Sequence, residues 1–142
     1  MKIKDSNVLI TGGASGIGKI MGRMALEKGA KCLIIWDINE ANIATTIEEF
    51  APIGRVKGYR VDVGNIEAIR EAYAIAVKEC GDIDILINNA GFGISGATEF
   101  TDTEEAKRQF DVNFFGMVRV CKAVLPQMRT FPPKIRLSLK MA

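Results

Sequence analysis

Apolar and polar positions along this chain change period in blocks. Short stretches apolar at nearly every position, such as Val8-Leu9-Ile10 and Cys32-Leu33-Ile34-Ile35-Trp36, are separated by longer ones in which apolar residues recur every three or four positions. The first kind suits strands covered on both faces, and the second suits amphipathic helices. Strands are expected over 6–11, 31–37, 56–62 and 84–88, and helices over 17–28, 39–50, 65–80 and 103–128. The inner faces are expected to carry Ile17, Ile20, Met21 and Met24 in the first helix, and Ile43, Ile47 and Phe50 in the second. In the third they are Ile66, Ile69, Tyr73, Ala76, Val77 and Cys80, and in the last Phe110, Phe114, Met117, Cys121 and Leu125. Gly29, Pro52 with Gly54, and Gly81 stop the first three helices. Residues 91–101 read as a glycine-containing loop. Pro132-Pro133 breaks the chain, and the alternation of Ile135, Leu137 and Leu139 reads as a short fifth strand.

Strand and helix in strict alternation imply an α/β fold, a parallel sheet with helices on both faces joined by right-handed crossovers. The first strand should be central, with its following loop at the switch point where ligands bind. At 142 residues one domain with a sizeable core is expected. Hydrophobic residues make up 48% and charged ones 25%, with a net charge of +2 scattered along the chain, which argues against a nucleic-acid partner. The only basic clustering is weak, around Lys134 and Arg136. There is no histidine, which removes Ser-His-Asp triads, histidine general bases and most zinc sites. Cys32, Cys80 and Cys121 match no metal spacing and read as reduced thiols in a cytoplasmic protein. The expected chain has neither a leader nor a membrane-spanning run.

The chemistry concentrates after the first strand. Thr11-Gly12-Gly13-Ala14-Ser15-Gly16-Ile17-Gly18 lies between an apolar run and a helical pattern. A strand, a glycine-rich turn and a helix N-terminus together form a cradle for a dinucleotide diphosphate. In that reading Gly12 allows the tight turn, Gly16 leaves room for backbone N–H groups to reach phosphates, and Gly18 lets the helix pack close to the sheet. Asp37 ends the second strand, where a carboxylate accepts from ribose hydroxyls and repels a 2′-phosphate, favouring NAD over NADP. The plain alternative is an exposed Asp capping the next helix.

Asp62 is read either as an acceptor for an adenine amino group, with Val63 covering the ring, or as a cap for the helix beginning near Asn65. In Asn88-Asn89-Ala90-Gly91 one amide would hold neighbouring strands together and the other would face a ribose with the Ala90-Gly91 backbone; the alternative is an ordinary turn. Spacing puts Asn113 on the buried face of the last helix, which by itself favours a core amide bonded to nearby backbone over one that organises water at a reaction centre.

In this order and spacing these motifs resemble the short-chain dehydrogenase/reductase family, over nearly the whole chain up to about Met128. The resemblance implies a Rossmann-type fold with about four strands and a possible short fifth, a dinucleotide-binding domain over 1–128, and an atypical tail over 129–142. It implies that Thr11, Gly12, Ser15, Gly16, Ile17, Gly18, Asp37, Asp62, Val63, Asn88, Asn89, Ala90 and Gly91 bind NAD(P), with Asn113 as a catalytic residue. The implied activity is hydride transfer between an alcohol and a carbonyl. Ser15 stands where NADP-preferring relatives often carry a basic residue. Trp36-Asp37-Ile38-Asn39 looks like the branch that handles retinoids, steroids and fatty alcohols.

The family's active site also uses a Ser and a Tyr-x-x-x-Lys pair, and these have no counterpart here. Tyr59 and Tyr73 are followed four residues later by valines, Met141 occupies the place of the Ser, and Ser138 is given no role. From Arg129 onward the chain departs from the family pattern, as a frameshifted, alternatively spliced or truncated product would. Three readings stay open: the cofactor-binding part of an oxidoreductase, a non-catalytic dinucleotide-binding module, and a defective product. The uncovered face of the helix over 103–128 is expected to drive self-association.

Overall fold

The computed structural model describes residues 2–129 and the backbone of the strand at 137–140. The elements run β1 (Asn7–Thr11), α1 (Gly16–Glu27), β2 (Cys32–Asp37), α2 (Glu40–Phe50), β3 (Val56–Arg60), α3 (Ile66–Cys80), β4 (Ile85–Asn88), a 3-10 turn (Thr98–Phe100), α4 (Thr103–Phe110), a π-helical turn (Asp111–Gly116), α5 (Met117–Met128) and β5 (Leu137–Lys140). Boundaries expected from periodicity fall within two residues of these for the first four strands.

The sheet has the order β3-β2-β1-β4-β5 with every pairing parallel, so β1 is central. Thr11 is in register with Trp36 on one side and Asn88 on the other, which brings the ends of β1, β2 and β4 level. Successive strand side chains serve opposite layers. Val8, Ile10, Leu33, Ile35 and Ile85 share a core with residues of α1 and α2, including Ala25, Leu26, Ile43 and Phe50. Leu9, Ile34, Trp36 and Leu86 share the other core with residues of α3 and α5, including Ile69, Ala76, Val120 and Val124. The expected fifth strand is present, and Ser138 pairs in register with Leu86. Met141, Lys134 and Arg136 lie outside the described residues.

Two expected helix faces are corrected. In α1 the buried residues are Gly18, Gly22, Ala25 and Leu26, whereas Ile17, Ile20 and Met24 are exposed, Ile20 at 61%. The helix approaches the sheet through small residues: a Cβ on Gly22 would lie 3.0 Å from Leu33 Cδ2. Close packing of backbone selects glycine, so the most apolar stripe is not the inner one.

The helix over 103–128 is also not a single α-helix. The π turn from Asp111 to Gly116 places an extra residue in the spiral, which turns everything after it by about 100°. The inner stripe becomes Gly116, Val120, Val124 and Met128. Phe110 and Phe114, expected inside, are exposed at 65% and 50%, while Met117, Cys121 and Leu125 are half-buried.

Candidate functional site

The turn after β1 is clamped from three sides. Gly12 N–H donates to the Trp36 carbonyl at 2.7 Å, tying it to β2. Ala14 N–H donates to Asp37 Oδ2 at 3.1 Å, and the buried Thr46 hydroxyl of α2 donates to the Ala14 carbonyl at 3.2 Å. From β4, Asn89 Nδ2 donates to the Gly12 carbonyl at 3.0 Å. Thr11 Oγ1 accepts from the N–H groups of both Asn89 and Ala90, each at 3.0 Å. Thr11 therefore fastens the β4 loop beside the glycine turn, at the switch point of the sheet.

Gly12 and Gly16 have φ of +65° and +50°, a region that glycine enters without the Cβ penalty. A Cβ on Gly16 would meet nothing within 4 Å, so the turn has open space in front of it. Ser15 precedes α1 in extended conformation and its side chain makes no cap. The first N–H groups of a helix lack intrahelical acceptors, and here Ser15, Gly16 and Ile17 are exposed. Together these features fit an anionic group lying across the turn, held by main-chain N–H.

Asp37 uses both carboxylate oxygens on backbone, Oδ2 on Ala14 N–H and Oδ1 on Asn39 N–H at 3.1 Å. The helix cap is Asn39, whose side chain accepts from Asn42 N–H, so the capping alternative for Asp37 does not hold. A carboxylate has about four lone-pair directions, which leaves Asp37 acceptor capacity for hydroxyls. Asp62 is exposed and accepts from Gly64 N–H at 2.8 Å, while Asn65 caps α3 by accepting from Glu67 and Ala68 N–H. Val63 is 6% exposed and packs on Gly116, whose Cβ would lie 2.7 Å from Val63 Cγ2. The close approach of the π turn thus fixes the Val63 side chain in place beside the exposed Asp62.

The adjacent amides divide differently from the expectation. Asn89 ties strands together, and Asn88 is buried with its Nδ2 donating to Cys121 Sγ at 3.5 Å. Asn113, inside the π turn, makes a reciprocal pair with Phe92: Oδ1 accepts from Phe92 N–H at 3.0 Å and Nδ2 donates to Phe92 O at 2.8 Å. A Cβ on Gly91 would come within 2.8 Å of Asn113 Oδ1. Asn113 therefore anchors the loop after β4 from a half-buried position in the π turn, not from the core that its spacing suggested.

Three contributors escaped the sequence reading. The Trp36 carbonyl and the Phe92 backbone carry no side-chain signal. Thr46 did carry one, as a polar residue on the inner face of a helix whose neighbours Ile43 and Phe50 are apolar.

The short chain dehydrogenase family model matches residues 6–133. A 3-ketodihydrosphingosine reductase of Bacteroides thetaiotaomicron is 43% identical over 122 residues, covering 86% of this chain and 42% of that protein. Human short-chain dehydrogenase/reductase 3 is 34% identical over 131 residues, covering 89% of this chain and 43% of that protein. Among solved structures, a short chain dehydrogenase from Mycobacterium smegmatis superposes with a TM-score of 0.84 at 32% identity, covering 90% of this chain and 53% of that one. The chain thus spans less than half the length of these two curated relatives.

Proposed function

The chain belongs to the short-chain dehydrogenase family, and on that premise we propose that residues 1–128 form the dinucleotide-binding unit of an NAD-dependent oxidoreductase, with 129–142 as a tail beyond it. The observation that carries this reading is the open glycine turn at Gly16, held beside the Asp37 carboxylate by the Ala14 contact. A bound nicotinamide supplies the hydride donor or acceptor. The protein's part is to hold the diphosphate on the N–H groups of 15–18, to accept ribose hydroxyls at Asp37, and to present the Ala90-Gly91 backbone to the second ribose. Asp62 is the proposed acceptor for the adenine amino group.

Preference for NAD is supported by electrostatics. A 2′-phosphate would face the Asp37 carboxylate. The basic side chains of α1, Lys19 and Arg23, are both paired with Glu49, Lys19 at 2.6 Å. Those two partners hold the Glu49 carboxyl below its usual range, so neither cation stands free to receive a phosphate.

The substrate proposed is an alcohol or carbonyl compound of lipid origin, favoured by the tetrapeptide at 36–39 and by the relative named for 3-ketodihydrosphingosine. A proton donor beside the substrate oxygen typically contributes 10²–10⁴-fold. Tyr59 does not fit that role: burial and its bond to Glu79 push its hydroxyl above the ordinary range, whereas a proton-exchanging tyrosine needs the opposite shift. Tyr73 lies in α3 with its hydroxyl 3.4 Å from Gln127 Oε1. Turnover by these 142 residues alone is therefore expected to be negligible.

Cytoplasmic residence is proposed from the cysteine usage of the chain, in which Cys32 and Cys80 are thiols and not a disulfide. No described helix is long and apolar enough to cross a membrane. Titration calorimetry with NAD and NADP tests the main reading: saturable binding with NAD the tighter ligand is expected, and absence of binding by either would remove it.

A further inference from the structure

The geometry points to Cys32 and Cys80 as a reversible oxidation site, a buried thiol pair that closes to a disulfide under peroxide and staples β2 to the end of α3. Their Sγ atoms are 3.1 Å apart although the residues are 48 positions apart in sequence. Both are free and buried, Cys32 fully and Cys80 to 4% exposure. A disulfide has an S–S length of about 2.05 Å, so roughly 1 Å of approach completes it, within the range of small χ1 adjustments.

The pair is held together from both flanks. On one side, Asn7 is the register partner of Cys32, and its Nδ2 donates to the Cys80 carbonyl at 2.9 Å and to the Asp82 carbonyl at 2.8 Å. On the other, Glu79 is gripped by Arg55, just before β3, and by Lys57 and Tyr59 within it. Arg55 donates to its carbonyl at 2.6 Å, the Tyr59 hydroxyl donates to Oε2 at 2.8 Å, and Lys57 pairs with Oε2 at 3.2 Å. The strands on either side of Cys32 thus position the last turn of α3 over it. Cys121 lies elsewhere, against Asn88.

Burial and the bond to Cys80 push the Cys32 thiol up to about 12, so Cys32 rests protonated and serves as the second, resolving sulfur. Access is easiest at Cys80, in the last turn of α3 before Gly81. The thiolate of Cys80 attacks one oxygen of hydrogen peroxide, breaking the O–O bond to give a sulfenic acid and hydroxide, which takes up the thiol proton as water. Cys32 sulfur then attacks the Cys80 sulfur, the S–O bond breaks, and a second water leaves with the Cys32 proton. Two thiols lose two electrons to one peroxide, and a dithiol reductant reverses the change. The bond closes a long loop through α2, β3 and α3, which restricts the unfolded chain. It lies at the opposite end of β2 from Asp37, away from the glycine turn.

The test is to treat the full chain with hydrogen peroxide in native buffer, then unfold it in N-ethylmaleimide and read intact and peptide masses. One maleimide per chain is expected in place of three, with a Cys32–Cys80 linked peptide that dithiothreitol separates and a raised denaturant midpoint for the oxidised form. Cys32→Ala and Cys80→Ala should each abolish the linked peptide. The same dose given in concentrated guanidinium should yield far less of it, which shows that folding supplies the proximity. Three maleimides after oxidation, linkage through Cys121, added oxygen without a link, or equal yield in buffer and denaturant would each overturn the inference.

Discussion

A Cβ on Gly18 would lie 2.1 Å from the carbonyl oxygen of Gly12, and 2.6 Å from Asn89 Nδ2. The start of α1 therefore sits directly on the turn that precedes it, and the carbonyl it presses on is the one held by Asn89. Gly18→Ala is expected to destabilise the chain by about 3 kcal/mol or more, because backbone cannot yield as a side chain would. Gly16→Ala meets no atoms but keeps a positive φ, which costs roughly 1–2 kcal/mol. Its methyl group would occupy the open space in front of the turn. Urea unfolding with parallel NAD titration separates the two: Gly18→Ala loses stability most, and Gly16→Ala loses affinity most.

Asp37→Ala removes the proposed ribose acceptor. NAD affinity should fall roughly 10- to 100-fold, the range for a hydrogen bond to a charged group. The N–H groups of Ala14 and Asn39 also lose their partner, so a thermal melt of the same sample must accompany the titration. Unchanged NAD affinity would take Asp37 out of the site.

Asn113→Ala deletes both bonds to the Phe92 backbone. A loss of roughly 1–2 kcal/mol is expected. Amide exchange at Phe92 should accelerate, while exchange in β1 follows only the global loss. Equal protection of Phe92 in variant and parent would contradict the anchoring role.

Stability should decline in alkali. Below pH 9.0, the ordinary value for the thiol, Cys32 is protonated whether the chain is folded or not. Above it the unfolded chain releases the proton and the folded chain does not, so stability falls until about 12, where the folded thiol also ionises. Tyr59 adds a decline of the same sign beginning above its ordinary value of 10.0. Cys32→Ala should flatten the first part of a denaturant-midpoint profile across this range, and Tyr59→Phe the second.

Phe100, Phe110, Phe114 and Phe115 are exposed on the 3-10 turn, α4 and the π turn, and Phe114 and Phe115 pack edge to face at 5.2 Å. Such a surface favours association. Sedimentation velocity should show concentration-dependent species that diminish in a Phe110→Asp, Phe114→Asp double variant. A monomer at every concentration would remove the proposed self-association.

Much of the scaffold is legible in one dimension because its causes are local. The apolar runs at 8–10 and 32–36 call for strands buried on both sides, and Gly29 and Gly81 stop helices where positive φ is needed. The glycines at 12 and 16 announce a turn that needs positive φ, the one at 18 a close backbone contact, and Asp37 follows at the end of the next strand.

Other features depend on distances between segments far apart in the chain. Periodicity counts apolar side chains, so it chose Ile17, Ile20 and Met24 over the glycines by which α1 meets Leu33. A π turn leaves no periodic mark until its register shift is seen, and it turned Phe110 and Phe114 outward while bringing Gly116 onto Val63. Which of two adjacent amides ties strands and which enters the core was decided by the placement of Thr11, Gly12 and Cys121. Hydrophobic pattern and glycine stereochemistry are properties of short stretches and survive in sequence. Close approach between backbones, and the pairing of Cys32 with Cys80, exist only once the sheet has brought distant strands and helices together.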